Sequence, residues 1–173
     1  MPFAPVVPGA EFVRFNDVAD LEAKFDDTVC AILLETVQGE GGIYPVSEEF
    51  WNRARLLATQ HGALLIADEI QCGLGRTGRY FAYQKFPSRP DIVLIAKPLA
   101  AGLPLGAILT TQEVASRVSP GMHGTTFGGG PLACAVGLEF LKIVEEEKLL
   151  ENIRARGAEL RDGLSKQIGR AHV

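Results

Sequence analysis

Two short aliphatic runs, each closed by one charged residue, constrain this chain more than any other feature. Leu64-Leu65-Ile66-Ala67 stops at Asp68, and Asp91-Ile92-Val93-Leu94-Ile95-Ala96 stops at Lys97. Neither run alternates with polar residues, so neither suits a strand with one face in water. Runs of this kind are strands covered on both faces, as in a parallel sheet. In open α/β sheets ligands bind beyond the carboxyl ends of the strands. An acid and a lysine are therefore expected at one edge of one sheet.

The surrounding pattern builds a layered α/β unit. Phe3–Phe15 reads as irregular chain, and Asn16 or Asp17 can cap a helix over Val18–Phe25. Cys30–Val37 is an apolar, β-branched run that carries Glu35 and leads into the turn Gly39-Glu40-Gly41-Gly42. Ser47 is a good N-cap, and Glu48 and Glu49 suit the positive end of a helix dipole. Phe50, Ala54, Leu57 and Ala58 mark one face of that helix, which Gly62 ends. Strand, helix and strand then follow with short links, which makes the two strands parallel and the crossover right-handed. Gly106–Thr111 reads as another strand. Pro131 fits a first helical turn, and Leu132–Val144 is apolar almost all round, as in a buried helix. A more polar helix follows, with Leu149, Ile153, Leu160 and Leu164 on one stripe.

Bulk properties exclude several function classes. The 173 residues fit one ordinary domain, and a net charge of −4 without a basic run argues against a nucleic-acid surface. The longest apolar stretches fall well short of the roughly 18 residues that mark a membrane span. The opening Met1-Pro2-Phe3-Ala4-Pro5 does not read as a signal peptide. Cys30, Cys72 and Cys134 are odd in number and widely spaced, and His61, His123 and His172 add no ligand spacing, so no metal site is expected. Reduced thiols fit the cytoplasm or an organelle matrix.

An acid beside a lysine at a sheet edge is what pyridoxal phosphate needs: a carboxylate for its pyridinium nitrogen and a Schiff-base lysine for its aldehyde. Three longer motifs narrow this. Asp68-Glu69-Ile70-Gln71-Cys72-Gly73-Leu74-Gly75-Arg76-Thr77-Gly78 resembles the core signature of the class III, ornithine-type aminotransferases. Pro90-Asp91-Ile92 through Lys97-Pro98-Leu99, with Gly102-Leu103-Pro104-Leu105-Gly106-Ala107, resembles that family's lysine segment. His123-Gly124-Thr125-Thr126-Phe127-Gly128-Gly129 is similar to the phosphate-contacting loop of its acetylornithine branch. The resemblance runs in order from about Phe3 to about Gln167.

The resemblance implies an α/β fold: a fold-type I large domain, with a mostly parallel sheet and flanking helices, here incomplete. Residues 1–148 would be the central part of that domain and 149–167 the start of the helix leading to a C-terminal domain. It also implies roles. Lys97 would carry the cofactor and shuttle the proton, and Asp68 would pair with the pyridine nitrogen. Gln71 would bond the phenolic oxygen, and Thr126 would reach the phosphate from the neighbouring subunit of a homodimer. Thr125 would lie beside the substrate and Glu35 near its side chain. Glu69 and Arg76 read as scaffold. The implied reaction moves an amino group from N-acetylornithine to 2-oxoglutarate in arginine synthesis. Ornithine and 4-aminobutyrate aminotransferases are the neighbouring alternatives. Three positions depart from the family pattern: Thr36 replaces its proline, Ala100-Ala101 its Gly-Gly, and Gly130 its asparagine.

Two other readings compete. Aliphatics before Asp68-Glu69 mimic a Walker B strand, but no G-x-x-x-x-G-K-[ST] occurs to cradle a triphosphate, which disfavours an ATPase or helicase. An inactive fragment or binding module is the other, because the family's upstream Gly-Thr phosphate loop, ring-stacking aromatic and substrate arginine are not in this sequence. Ile168-Gly169-Arg170-Ala171-His172-Val173 breaks the helical pattern and back-translates onto a common sequencing-library adapter, so it is expected to be a non-native tail.

Overall fold

Capping chemistry sets where the helices begin. The computed structural model describes residues 7–168, the last of them by its backbone alone. The Asp17 carboxylate accepts from Asp20 N–H and opens α1 (Val18–Lys24). Strand β1 (Ala31–Glu35) follows, then a small antiparallel pair, β2 (Val37–Gln38) with β3 (Tyr44–Pro45). Ser47 Oγ accepts from Phe50 N–H at 3.1 Å and starts α2 (Glu48–Gln60), which returns the chain to β4 (Leu64–Asp68). A 3₁₀ turn (Ala82–Lys85) lies in the link to β5 (Ile92–Ile95), and a second (Lys97–Ala100) in the link to β6 (Ala107–Thr110). Three helices complete the described chain: α3 (Gln112–Ala115), α4 (Pro131–Glu146) and α5 (Leu149–Ile168). The non-native tail expected at Ile168–Val173 lies outside the described residues, apart from the Ile168 backbone that ends α5.

The main sheet runs β1-β4-β5-β6, with β1, β4 and β5 parallel and β6 antiparallel to β5. The reversal at β6 follows from its link. Residues 96–106 are too few for the covering crossover of a dozen or more residues that a parallel return requires. Glu35, Asp68 and Leu94 stand in one register row, so β1 and β4 end at the same level.

One side of this sheet is well covered. Helix α2 lays Phe50, Trp51, Ala54, Leu57 and Ala58 against Leu34, Leu65 and Ala67. Four of those helix residues follow from periodicity. Trp51 lies on the same stripe, three residues before Ala54 and seven before Ala58; it is fully buried, stacked on Phe86 at 4.7 Å between ring centres, and its Nε1–H donates to Ser88 Oγ. Asp91 locks the layer: its Oδ2 accepts from Leu65 N–H and from Arg55 Nη1, both at 2.7 Å.

The other expectation of burial needs correction. Leu132–Val144 is helical, but within α4 only Gly137 and Val144 are buried. Leu132 and Leu138 are 72% and 70% exposed. Helix α4 packs on the 3₁₀ turn at Lys97–Ala100 and on α5, and lays Phe140 and Leu141 on the cluster of Leu74, Val93, Ile95 and Leu99, while Leu132 and Leu138 stay open among the described residues.

Candidate functional site

Three parallel strands deliver three chemically active residues to one edge. Glu35 ends β1, Asp68 ends β4 in register with it, and Lys97 follows the end of β5 by two residues. The edge is pinned by one more ladder bond, from Glu69 N–H to Leu94 O at 2.9 Å. Burial alternates along β4, with Leu65 and Ala67 on the side facing α2. Asp68 therefore shares the opposite side with Leu64 and Ile66. Lys97 opens its 3₁₀ turn with an exposed side chain.

Local bonds orient the acids. Asp68 Oδ1 accepts from Ile70 N–H at 2.9 Å. Glu35 Oε2 accepts from Gly39 N–H at 3.0 Å, which folds the carboxylate back onto its own glycine turn. Gln71 lies over the same turn. A Cβ at position 39 would fall 1.6 Å from Gln71 Oε1, so glycine there leaves the space that the amide fills. Glu35, Gly39 and Gln71 thus form one contact group beside Asp68.

Thr125 and Thr126 are not part of that group. Both are exposed in the loop before α4, whose tip Phe127 is 90% exposed. Thr125 Oγ1 accepts from Gly128 N–H at 3.3 Å, and among the described residues no hydrogen bond joins either threonine to Asp68, Gln71 or Lys97. Arg76 is exposed as well. The glycines around it make the contacts: Arg154 of α5 donates to Gly78 O at 2.6 Å, and a Cβ on Gly78 would meet the Arg154 stem at 2.6 Å.

Sequence reasoning left Glu69 as scaffold without finding its partners. It is 1% exposed and accepts four donors: Thr36 Oγ1–H, Tyr83 N–H, Ala82 N–H and the Cys72 thiol. Thr36, the departure from the family's proline, is itself fully buried. Burial, then the Glu69 charge, pushes the Cys72 thiol up to about 12. The available signal was an acid directly after an aliphatic strand, at a position continuing the buried side of β4, where an unpaired charge is prohibitive. Its partners lie too far along the chain for spacing to reveal them.

Among the described residues no group of three His, Cys, Asp or Glu side chains could hold a metal ion, and no helix is long and apolar enough to cross a membrane.

Comparison with known proteins places this arrangement. The family model described as aminotransferase class III matches residues 5–173. An acetylornithine aminotransferase of Neisseria meningitidis is 46% identical over 162 residues, covering 94% of this chain and 41% of that protein. A succinylornithine transaminase of Yersinia pseudotuberculosis is 45% identical, covering 99% of this chain and 41% of that protein. The ornithine aminotransferase of Toxoplasma gondii, crystallised with partial occupancy of PLP at its active site, superposes with a TM-score of 0.88 at 42% identity, over 95% of this chain and 39% of that one. The chain spans about two-fifths of the length of the curated relatives it matches. A family match over nearly the whole chain, joined to the same α/β layer in a solved relative, makes this chain a member of the class III aminotransferases.

Proposed function

We propose that this segment serves a pyridoxal phosphate-dependent transamination, moving the amino group of N-acetylornithine to 2-oxoglutarate. The observation that carries the reading is the single edge shared by Glu35, Asp68, Gln71 and Lys97, in a chain 46% identical to an acetylornithine aminotransferase. The residues suit the cofactor. Asp68 offers a carboxylate for a ring nitrogen, Lys97 an amine for an aldehyde, and Gln71 an amide for a phenolic oxygen. The glycine turn at Gly39 leaves the room that Gln71 occupies.

Each residue then has a defined task. When bound, pyridoxal phosphate supplies an aldehyde that joins to amines and a ring that takes up the electrons of a deprotonated α-carbon. Asp68 holds the proton on the ring nitrogen, since its negative charge favours the protonated form. Lys97 Nζ would accept the proton leaving the substrate's α-carbon and deliver it to the carbon that carried the cofactor's aldehyde, two atoms along. Gln71 orients the ring, and Glu35 faces the substrate side chain. Thr126 and Thr125 serve the phosphate and the substrate across a homodimer interface, which accords with their exposed loop and its Phe127. The cytoplasm is the proposed compartment. The likeness to a succinylornithine transaminase supports acylated ornithine as the donor class over free ornithine or 4-aminobutyrate.

The test is glutamate formation from 2-oxoglutarate by the complete polypeptide carrying this segment, supplied with pyridoxal phosphate. N-acetylornithine is expected to give the highest kcat/KM among N-acetylornithine, N-succinylornithine, ornithine and 4-aminobutyrate. Preference for a free ω-amine would move the assignment within the family. No visible absorption band with pyridoxal phosphate would reject it.

A further inference from the structure

We propose that Thr36, Glu69 and Cys72 form a buried clamp that positions Glu35, Asp68 and Gln71, with Glu69 as its central positioning residue. The inference rests on the pyridoxal phosphate reading above. It starts from a coincidence of chain neighbours. Each of the three site residues is followed directly by one clamp residue: Glu35 by Thr36, Asp68 by Glu69, Gln71 by Cys72. All three clamp side chains are buried, Thr36 at 0% and Glu69 at 1% exposure.

The bonding is complete. Glu69 Oε1 accepts from Thr36 Oγ1–H at 2.8 Å and from Tyr83 N–H at 2.8 Å. Its Oε2 accepts from Ala82 N–H at 2.9 Å and from the Cys72 thiol at 3.3 Å. An ionised carboxylate offers about four acceptor sites, and four donors arrive. Such a group is costly when incompletely bonded and rigid when satisfied. It ties the end of β1, the end of β4, the loop after Gln71 and the 3₁₀ turn at Ala82 to one point. Continuing the alternation of β4 places Glu69 on the α2 side of the sheet and Asp68 on the other. The clamp grips the strand ends from beneath and leaves the site residues free above.

Thr36 makes this a property of this chain. A proline at that position has no hydroxyl and could not fill the fourth acceptor site of Glu69. The substitution puts a donor to the clamp next to the residue proposed to face the substrate.

The geometry dictates how to break it. In Glu69→Gln the amide NH₂ must replace one oxygen, and it then faces a backbone N–H in either orientation, from Tyr83 or from Ala82. Neither can reverse. Thr36→Val removes one donor while keeping the shape, and Thr36→Ser restores it. The complete polypeptide and its variants are loaded with pyridoxal phosphate and compared by circular dichroism, cofactor Kd, visible absorption band, kcat and KM, with Asp68→Asn as reference. Displacement of about 1 Å can cost on the order of 100-fold in rate. Glu69→Gln is therefore expected to lower kcat about 100-fold and Thr36→Val about tenfold, with native circular dichroism. The visible band should shift in the same sense as in Asp68→Asn, and Thr36→Ser should return it. If Glu69→Gln does not fold, Thr36→Val with its serine rescue decides the matter. A band and kcat unchanged per folded molecule in Thr36→Val would overturn the clamp. A wild-type protein without a visible band, or an Asp68→Asn variant identical to it, would instead overturn the cofactor reading, and the clamp's role with it.

Discussion

Helices α2 and α4 make an instructive pair. α2 is the more polar in sequence, yet five of its thirteen residues are buried. α4 is apolar nearly all round, yet only Gly137 and Val144 are buried. The difference lies in what stands opposite. α2 crosses between two parallel strands and meets Leu34, Leu65 and Ala67 on their shared face. α4 meets the short turn at Lys97, the start of α5 and, through Phe140 and Leu141, the small cluster of Leu74, Val93, Ile95 and Leu99, which leaves its other sides open. Apolar content states how much cover a helix needs, whereas topology decides whether the same stretch of chain supplies it. The sheet repeats the lesson, since the side carrying Asp68 leaves Leu33 62% and Ile108 69% exposed. The α2 face is thus a finished core, whereas the Asp68 side of the sheet and the outer face of α4 stand open among the described residues.

If that contrast is right, chemistry placed at the edge of the finished core should be lost outright by a single substitution. In the complete polypeptide, Lys97→Ala is expected to remove the borohydride-reducible cofactor adduct and to lower turnover by several orders of magnitude, because both the anchoring amine and the proton carrier go. A reducible adduct at another lysine would take Lys97 out of the role.

Stability should separate the two helices next. Trp51→Ala should cost about 3–5 kcal/mol in urea unfolding of the complete polypeptide, through the cavity it leaves between Phe86 and Tyr83. Leu138→Lys tests the other side in two contexts. In the 173-residue chain alone, expected to be inactive and poorly soluble because of its exposed apolar face, it should raise the soluble fraction in a sedimentation assay. In the complete polypeptide it should lower stability or assembly instead. Equal behaviour in both contexts would mean that α4 has no missing cover.

Much of this was readable in the residues, and the rest was unreadable for definite reasons. Ser47, the α2 face and the runs ending at Asp68 and Lys97 carry local signals of capping, period and length, and each produced the element expected. Asp17 did so as well, closing the choice between Asn16 and Asp17. The Val37–Gln38 pairing with Tyr44–Pro45 was read only as a turn, because two-residue strands have no period to detect. Trp51 shares the α2 stripe with Ala54 and Ala58, but its stacking on Tyr83 and Phe86 across the sheet link leaves no trace in the helix pattern. The placement of Asp68 beside Lys97 came from a rule about strand ends. The Glu69 clamp could not, since its partners Thr36 and Ala82 lie 33 and 13 residues away. Thr125 and Thr126 rest on resemblance alone, as their loop contacts none of the other candidates by hydrogen bond.

A smaller effect sharpens the contrast at the thiols. Cys30 is exposed, whereas Cys72 is buried against Glu69, and its thiol is pushed up from 9.0 to about 12 by burial first and the neighbouring charge second. The folded state then keeps a proton that the unfolded chain has lost. The stabilising contribution is intact below about pH 9 and disappears as pH rises towards about 12. Unfolding measured across that window should show a decline that Cys72→Ala flattens. At pH 8 a thiol reagent should modify Cys30 readily and Cys72 only after unfolding. Fast labelling of Cys72 in the folded protein would contradict its place in the core.

The smallest effect comes from the second departure from the family pattern, Ala100-Ala101, at the junction of the two regions. The two alanines are not equivalent. Ala100 ends the 3₁₀ turn after Lys97 and is 1% exposed, while Ala101 is exposed and holds a left-handed backbone at φ 50°. A left-handed alanine costs roughly 1–2 kcal/mol. Glycine removes that strain but gives back about 0.5–1 kcal/mol in unfolded-state entropy. Ala101→Gly should therefore stabilise by about 0.5 kcal/mol. Ala100→Gly relieves no strain, deletes a buried methyl and loosens the turn, so it should destabilise by about 1 kcal/mol. Restoring both glycines should leave net stability close to unchanged, which would hide two opposed effects unless the single variants are measured. Urea midpoints for the three variants decide it. Equal shifts of one sign in both single variants would mean that the backbone at 101 is not left-handed and that the lysine turn is built differently.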